Sequence, residues 1–376
     1  MASDLSRRRI RRAAICLVIF GAQFGMFEVA LRTWGSSEAA PSFQGLFADD
    51  PAIGYRLKPG ARLRFTTAEF DTDISINRAG VRDDDDINTK AENERRILLI
   101  GDSLVLAVQV PFQQTFGELL ERRLNAAASP YTYRVINAGV QGYGPVEELL
   151  LFRALGRQVQ PDIVVETLFV GNDAEEAVAS AHRLTAGSRR SRDAIRETVA
   201  IRMRRVVRRS MVLQVLRLRI ASATDRFAWA SGPPEPPLQS YAAVAAPRIA
   251  EGLAITRQVV DQMILEADSA GARTAVVLMP ARFQLDDADY GRLRAAVAEA
   301  GGELMRDGAT ARFLEALAGS NAPVFDPLPA MRAVPPGPDL FFQQTVHLTP
   351  RGHEVVATAL EGFLHRTGLL DPPAGR

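Results

Sequence analysis

Residues 95–110 read RRILLIGDSLVLAVQV. Ile97-Leu98-Leu99-Ile100 is a short unbroken apolar run with a β-branched residue at each end, the pattern of a strand buried on both faces. It stops at Gly101-Asp102-Ser103, where a glycine permits a tight turn and a serine is presented at the end of the strand. Gly-Asp-Ser alone says little, since the three residues occur in many turns. Its meaning depends on what stands at the ends of the neighbouring strands.

Downstream of this run, strands alternate with helices. The spacing predicts a helix over 112–124, with Phe116, Leu119, Leu120 and Leu124 on one stripe, then a strand over 133–137 and a helix over 146–155. A strongly apolar strand is expected over 163–170, and others over 274–279 and 324–325, before a closing helix over 352–364. This alternation predicts the α/β class: right-handed crossover units and a parallel sheet covered on both faces.

In such a sheet functional groups gather past the carboxyl ends of the strands. The second strand runs into Asn137-Ala138-Gly139-Val140-Gln141-Gly142-Tyr143-Gly144, whose glycines suggest close backbone approach. The third ends in Gly171-Asn172-Asp173, and His347 stands in TVHLTPRGHEVVA before the last helix. These residue types belong together chemically. A serine hydroxyl is a weak nucleophile until a base removes its proton, and an imidazole near its ordinary pKa can do so. Attack on an ester carbonyl creates an oxyanion. The backbone N–H groups of Ser103 and Gly142 and the side-chain amide of Asn172 are candidates to receive it.

The arrangement resembles the SGNH, or GDSL-type, hydrolases, with Ser103, Gly142, Asn172 and His347 matching the four blocks in order from about residue 95 to 370. The resemblance implies a three-layer α/β/α fold with a parallel, flavodoxin-like sheet and serine-dependent ester hydrolysis. It implies no metal and no organic cofactor. DPAIGYRLKPG and INRAGVRDDD are similar to the lead-in of membrane-anchored bacterial members. There is one departure. The family usually carries an aspartate two or three residues before the histidine, to orient the ring, and here those positions hold Thr345 and Gln344. Three outcomes follow. The chain works as a Ser-His dyad with a backbone carbonyl or Gln344 holding the ring; it recruits Asp339, eight residues before His347, or another acid; or it is weakly active or inactive.

The remaining polar residues near these blocks have structural readings. His353 is expected to pack or cap at the start of the last helix, and His182 and His365 to lie at the surface. Asp102 is expected to make local turn hydrogen bonds and Asp173 to stabilise the loop of Asn172. A nucleotide-binding reading fails because residues 139–144 do not follow G-x-G-x-x-G and no P-loop lysine follows the first strand.

Beyond the sheet, the 376-residue chain opens with Arg7, Arg8, Arg9, Arg11 and Arg12 before a mostly apolar stretch over 13–31. That stretch is just long enough to span a bilayer at about 1.5 Å per residue. The arginines should stay cytoplasmic, which predicts a single-pass anchor in a bacterial inner membrane with the rest outside the cytoplasm. Gln23 and Glu28 count against the span, and a cleaved signal peptide is the rival reading. Residues 36–92 read as a β-rich lead-in ending in the acidic turn 83–86, and the hydrolase domain is expected over 93–370. An insertion over about 174–239 carries twelve arginines between Arg183 and Arg219 and reads as a basic amphipathic helical segment, either a solvated lid or a surface for anionic headgroups or polymers.

Net charge is +1, which gives no case for nucleic-acid binding. Basic residues are almost all arginine; the lysines are Lys58 and Lys90. The single cysteine, Cys16, excludes an intramolecular disulfide and a multi-cysteine zinc site. The expected partner is an ester substrate, an acylated polysaccharide or a lipid-like ester. Two other functions fit the same residues: acyl transfer to a sugar hydroxyl, or carbohydrate binding or assembly on an inactive hydrolase scaffold.

Overall fold

The computed structural model describes residues 45–87, 89–187, 238–299, 301–335 and 339–371, together with Gln23, Gly25, Met26 and Val29. By their internal contacts, the described residues among 45–65, 69–187 and 238–371 form one compact unit.

The lead-in is β-rich as expected. β1 (Phe47–Asp50) and β2 (Gly54–Leu57) pair antiparallel, and β3 (Arg62–Thr66) and β4 (Asp71–Ser75) form a second two-stranded sheet. Asp50 closes the first turn by accepting the N–H groups of Ala52 and Ile53.

The α/β body follows. Its strands are β5 (Glu94–Gly101), β6 (Thr132–Gly139), β7 (Ile163–Phe169), β8 (Arg273–Met279) and β9 (Val324–Phe325), in the spatial order β6-β5-β7-β8-β9. Every neighbouring pair is parallel. Counted within the sheet the order is 2-1-3-4-5, the doubly wound order whose direction of travel reverses beside the first strand. All seven residues of β7 are buried, so side chains on both faces of the sheet are covered.

The helices in chain order are α1 (Ser103–Leu106), α2 (Phe116–Ala126), α3 (Pro145–Val159), α4 (Asp173–Gly187), α5 (Pro247–Ser269), α6 (Asp287–Glu299), α7 (Gly308–Ala316), α8 (Leu328–Arg332) and α9 (Pro350–Arg366). α2 packs with α9, while α3, α4 and α5 pack together. The apolar residues of both groups join one core with the strands.

Two expectations need correction. The helix placed over 112–124 begins only at Phe116, because Thr115 accepts the Glu118 N–H as its N-cap and residues 112–114 form a separate 3₁₀ turn after Pro111. The insertion does not start at 174, because α4 is an integral crossover helix that packs closely on α5 at Gly252. The arginine-rich stretch 188–237 lies outside the described residues. Among those described, no helix is long and apolar enough to cross a membrane. The expected anchor over 13–31 falls outside them except for Gln23, Gly25, Met26 and Val29, which are helical.

Candidate active site

β5 ends opposite Gly139 of β6 on one side and Thr167 of β7 on the other. The chain then turns at Asp102, whose side chain accepts the Leu104 N–H at 2.7 Å and so caps α1. Ser103 is therefore the first residue of α1, where a backbone N–H has no acceptor within the helix. Asp102 makes the local bond expected of it, and burial pushes its carboxyl up to about 7.

The nucleophile helix is held from two sides. A Cβ at Gly139 would stand 2.2 Å from the Leu106 nitrogen, so α1 lies directly on the β6 backbone and tolerates only glycine there. Asn137, buried, donates its amide to the Val105 carbonyl at 2.7 Å and accepts the Gly139 N–H at 3.0 Å. From the lead-in, fully buried Arg82 donates to the carbonyls of Leu106 and Val110, each at 2.7 Å, and to that of Ala107. Loss of water lowers its pKa to about 10.

His347 arrives from a loop 244 positions away, and its Nε2 lies 2.9 Å from the Ser103 hydroxyl oxygen. Burial lowers the imidazole pKa to about 4, so the ring is neutral at neutral pH. Its Nδ1 is buried without a hydrogen-bond partner among the described residues. No backbone carbonyl among the described residues takes it, and the two residues named for the role have other contacts. The Asp339 carboxylate accepts from the side chain of Gln343, and the Gln344 backbone N–H donates to Glu69 while the residue itself is exposed.

The other two loops follow β6 and β7, the strands that pair with β5 on either side. Gly142 has φ +73°, a left-handed conformation natural for glycine, and its loop is held where the Tyr55 hydroxyl donates to the Gln141 carbonyl at 2.7 Å. Tyr143, fully buried, donates back to the Tyr55 carbonyl. Asn172 donates its amide to Glu176 Oε1 at 2.9 Å, which fixes the amide plane and leaves its second N–H available. Asp173 accepts the Phe169 N–H at 2.7 Å and so stiffens this loop, as expected. His353 packs on Phe116 and accepts its N–H, and His182 and His365 are exposed, also as expected. Among the described residues, no three His, Cys, Asp or Glu side chains are placed to hold a metal.

No family model and no curated protein matches the chain. Solved structures do. They include the crystal structure of TesA, at 16% identity and TM-score 0.41, with 73% of this chain and 100% of that one covered. A lipase/acylhydrolase from Enterococcus faecalis matches at 18% identity and TM-score 0.38, covering 75% and 100%. A GDSL-like lipase from Bacteroides thetaiotaomicron matches at 12% identity and TM-score 0.37, covering 74% and 92%. The solved structures it resembles thus include GDSL-type lipases and acylhydrolases.

Several residues that build the site were not legible as such in the sequence. Glu176 could have been found from its spacing, four residues after Asn172 across the first turn of α4. Tyr55, Glu69 and Arg82 carry no local signal, since their contacts span 24 to 275 positions.

Proposed function

We propose that the chain is a serine-dependent carboxylic ester hydrolase of SGNH type, with Ser103 as nucleophile and His347 as base. One observation carries the reading: a serine hydroxyl at the end of β5 lies 2.9 Å from a half-buried, neutral imidazole. In the reaction, the Ser103 proton passes to His347 Nε2 while Oγ attacks the ester carbonyl. The carbonyl oxygen becomes an oxyanion, received by the N–H groups of Ser103 and Gly142 and by the free amide N–H of Asn172. Collapse of the tetrahedral adduct expels the alcohol, which takes the proton from Nε2. Water then repeats the sequence and frees the carboxylic acid. The crevice outside β5 and β7, where the strand order reverses, is where ligands bind in doubly wound sheets.

On the same reading the N-terminal stretch 13–31 anchors the enzyme in a bacterial inner membrane and the catalytic unit works outside the cytoplasm, on an acylated polysaccharide or a lipid-like ester. The test is hydrolysis of a chromogenic acetate ester by the full chain in detergent, beside Ser103→Ala. Turnover abolished by the substitution is expected; turnover that survives it removes the assigned nucleophile.

The unpartnered Nδ1 favours a second reading, a carbohydrate-binding protein on a hydrolase scaffold. For Nε2 to accept the serine proton, Nδ1 must carry its own, and that buried N–H has no acceptor among the described residues. Glycan binding without labelling of Ser103 by a fluorophosphonate would select it.

A further inference from the structure

We propose that Glu69 is a positioning residue for His347, supplying from the lead-in the constraint that an acid within the histidine loop would otherwise impose; this rests on the Ser103–His347 reading above. With Nδ1 unpartnered among the described residues, the ring is hydrogen-bonded there only at Nε2, so its aim depends on the backbone that carries it. That backbone is a tight hairpin. Phe341 bridges Leu348, the Phe342 N–H donates to the His347 carbonyl at 2.9 Å, and the Thr349 N–H donates to the Leu340 carbonyl at 3.0 Å.

The tip of the hairpin, residues 343–346, is gripped on both sides. The Glu69 carboxylate accepts the N–H of Gln343 at 2.7 Å through one oxygen and that of Gln344 at 2.8 Å through the other. Charge-assisted bonds to two successive amides fix the tip far more firmly than one neutral contact would. On the opposite side, Arg282 donates to the carbonyls of Phe342 and Gln343 and is itself held by Asp289 at 2.5 Å. The Phe70 ring, next to Glu69, packs on Phe342 with centroids 5.3 Å apart. Glu69 thus acts at the segment that lacks its own acid, Gln344-Thr345, without reaching the imidazole.

The experiment compares the full chain in detergent with Glu69→Ala and Glu69→Gln. Amide exchange over 339–349 and the labelling rate of Ser103 by a fluorophosphonate are both measured. Release of Gln343 and Gln344 should speed their exchange in Glu69→Ala, with Glu69→Gln in between. Misaim of the ring should slow labelling and kcat by about 10²-fold with KM nearly unchanged. Glu69→Gln, whose single amide oxygen replaces the two carboxylate oxygens, should recover part of that loss in kcat with KM still unchanged, a split that a merely structural role of Glu69 would not give. Exchange and labelling equal to those of the parent chain would overturn the proposal. A parent chain that labels no better than Ser103→Ala sinks the esterase reading instead, and the exchange measurement still decides on Glu69.

Discussion

The base at position 347 is unusual in what surrounds it. Burial, with no opposite charge beside it among the described residues, holds its pKa near 4. Two consequences oppose each other. The neutral ring is available as a proton acceptor across the whole range above about pH 4. The imidazolium that forms in the transition state has no counter-charge, and removal of the orienting carboxylate from a serine protease triad lowered kcat about 10⁴-fold. Turnover should therefore be slow, with the acid limb of kcat/KM falling near pH 4 rather than near 6.5. A pH–rate profile on a chromogenic ester checks this; a limb at 6.5 would mean that the ring is solvated in solution.

At the scale of elements, the strand-and-turn logic of residues 95–110 carried through because it is local. A buried apolar run, a glycine and a cap residue specify β5, the turn and α1 with no help from elsewhere. The meeting of Ser103 with His347 is not local, and it was legible only through the order of the four motif blocks along the chain. The supports of α1 were not legible, because they come from the lead-in and from β6. Arg82 stands in INRAGVR, where the sequence signals only a turn, yet its guanidinium satisfies carbonyls at the carboxyl end of α1 and in the following loop. Arg82→Met should leave those buried carbonyls without donors and destabilise the fold by about 3 kcal/mol or more. Urea unfolding measures it, and Ser103 labelling should fall in the same variant because α1 loses its anchor. Gly139→Ala is expected to be at least as damaging, since no rotamer removes a Cβ from the Leu106 nitrogen.

For the molecule as a whole, an unusual load of acid is buried between the sheet and the helices after it, α1, α3 and α4. Asp102, Glu148, Glu166 and Asp173 are all buried, and no hydrogen-bond partner reaches either carboxyl oxygen of Glu148 or Glu166 among the described residues. Lost hydration pushes Glu166 up to about 8, and lost hydration with mutual repulsion raises Glu148 and Asp173 well above the usual range. The folded protein therefore keeps protons that the unfolded chain gives up above about pH 4, so these groups make stability fall as pH rises towards their folded values. His347 and His353, lowered to about 4 and about 3, act in the opposite sense. The unfolded chain protonates them below about 6.5 and the folded protein does not, so their effect is to raise stability with pH up to that point and then stop. The two trends offset one another below about pH 6.5, and above it the carboxyls act alone. The melting temperature should accordingly peak at mildly acidic pH and decline by pH 8.5. Glu166→Gln should raise it by several degrees at pH 8.5 and change it little at pH 5, because only at the higher pH does folding oppose ionisation of that carboxyl. Calorimetry of both chains at the two pH values measures the difference, and an equal shift at both would place the stress at Glu166 in packing rather than in its proton.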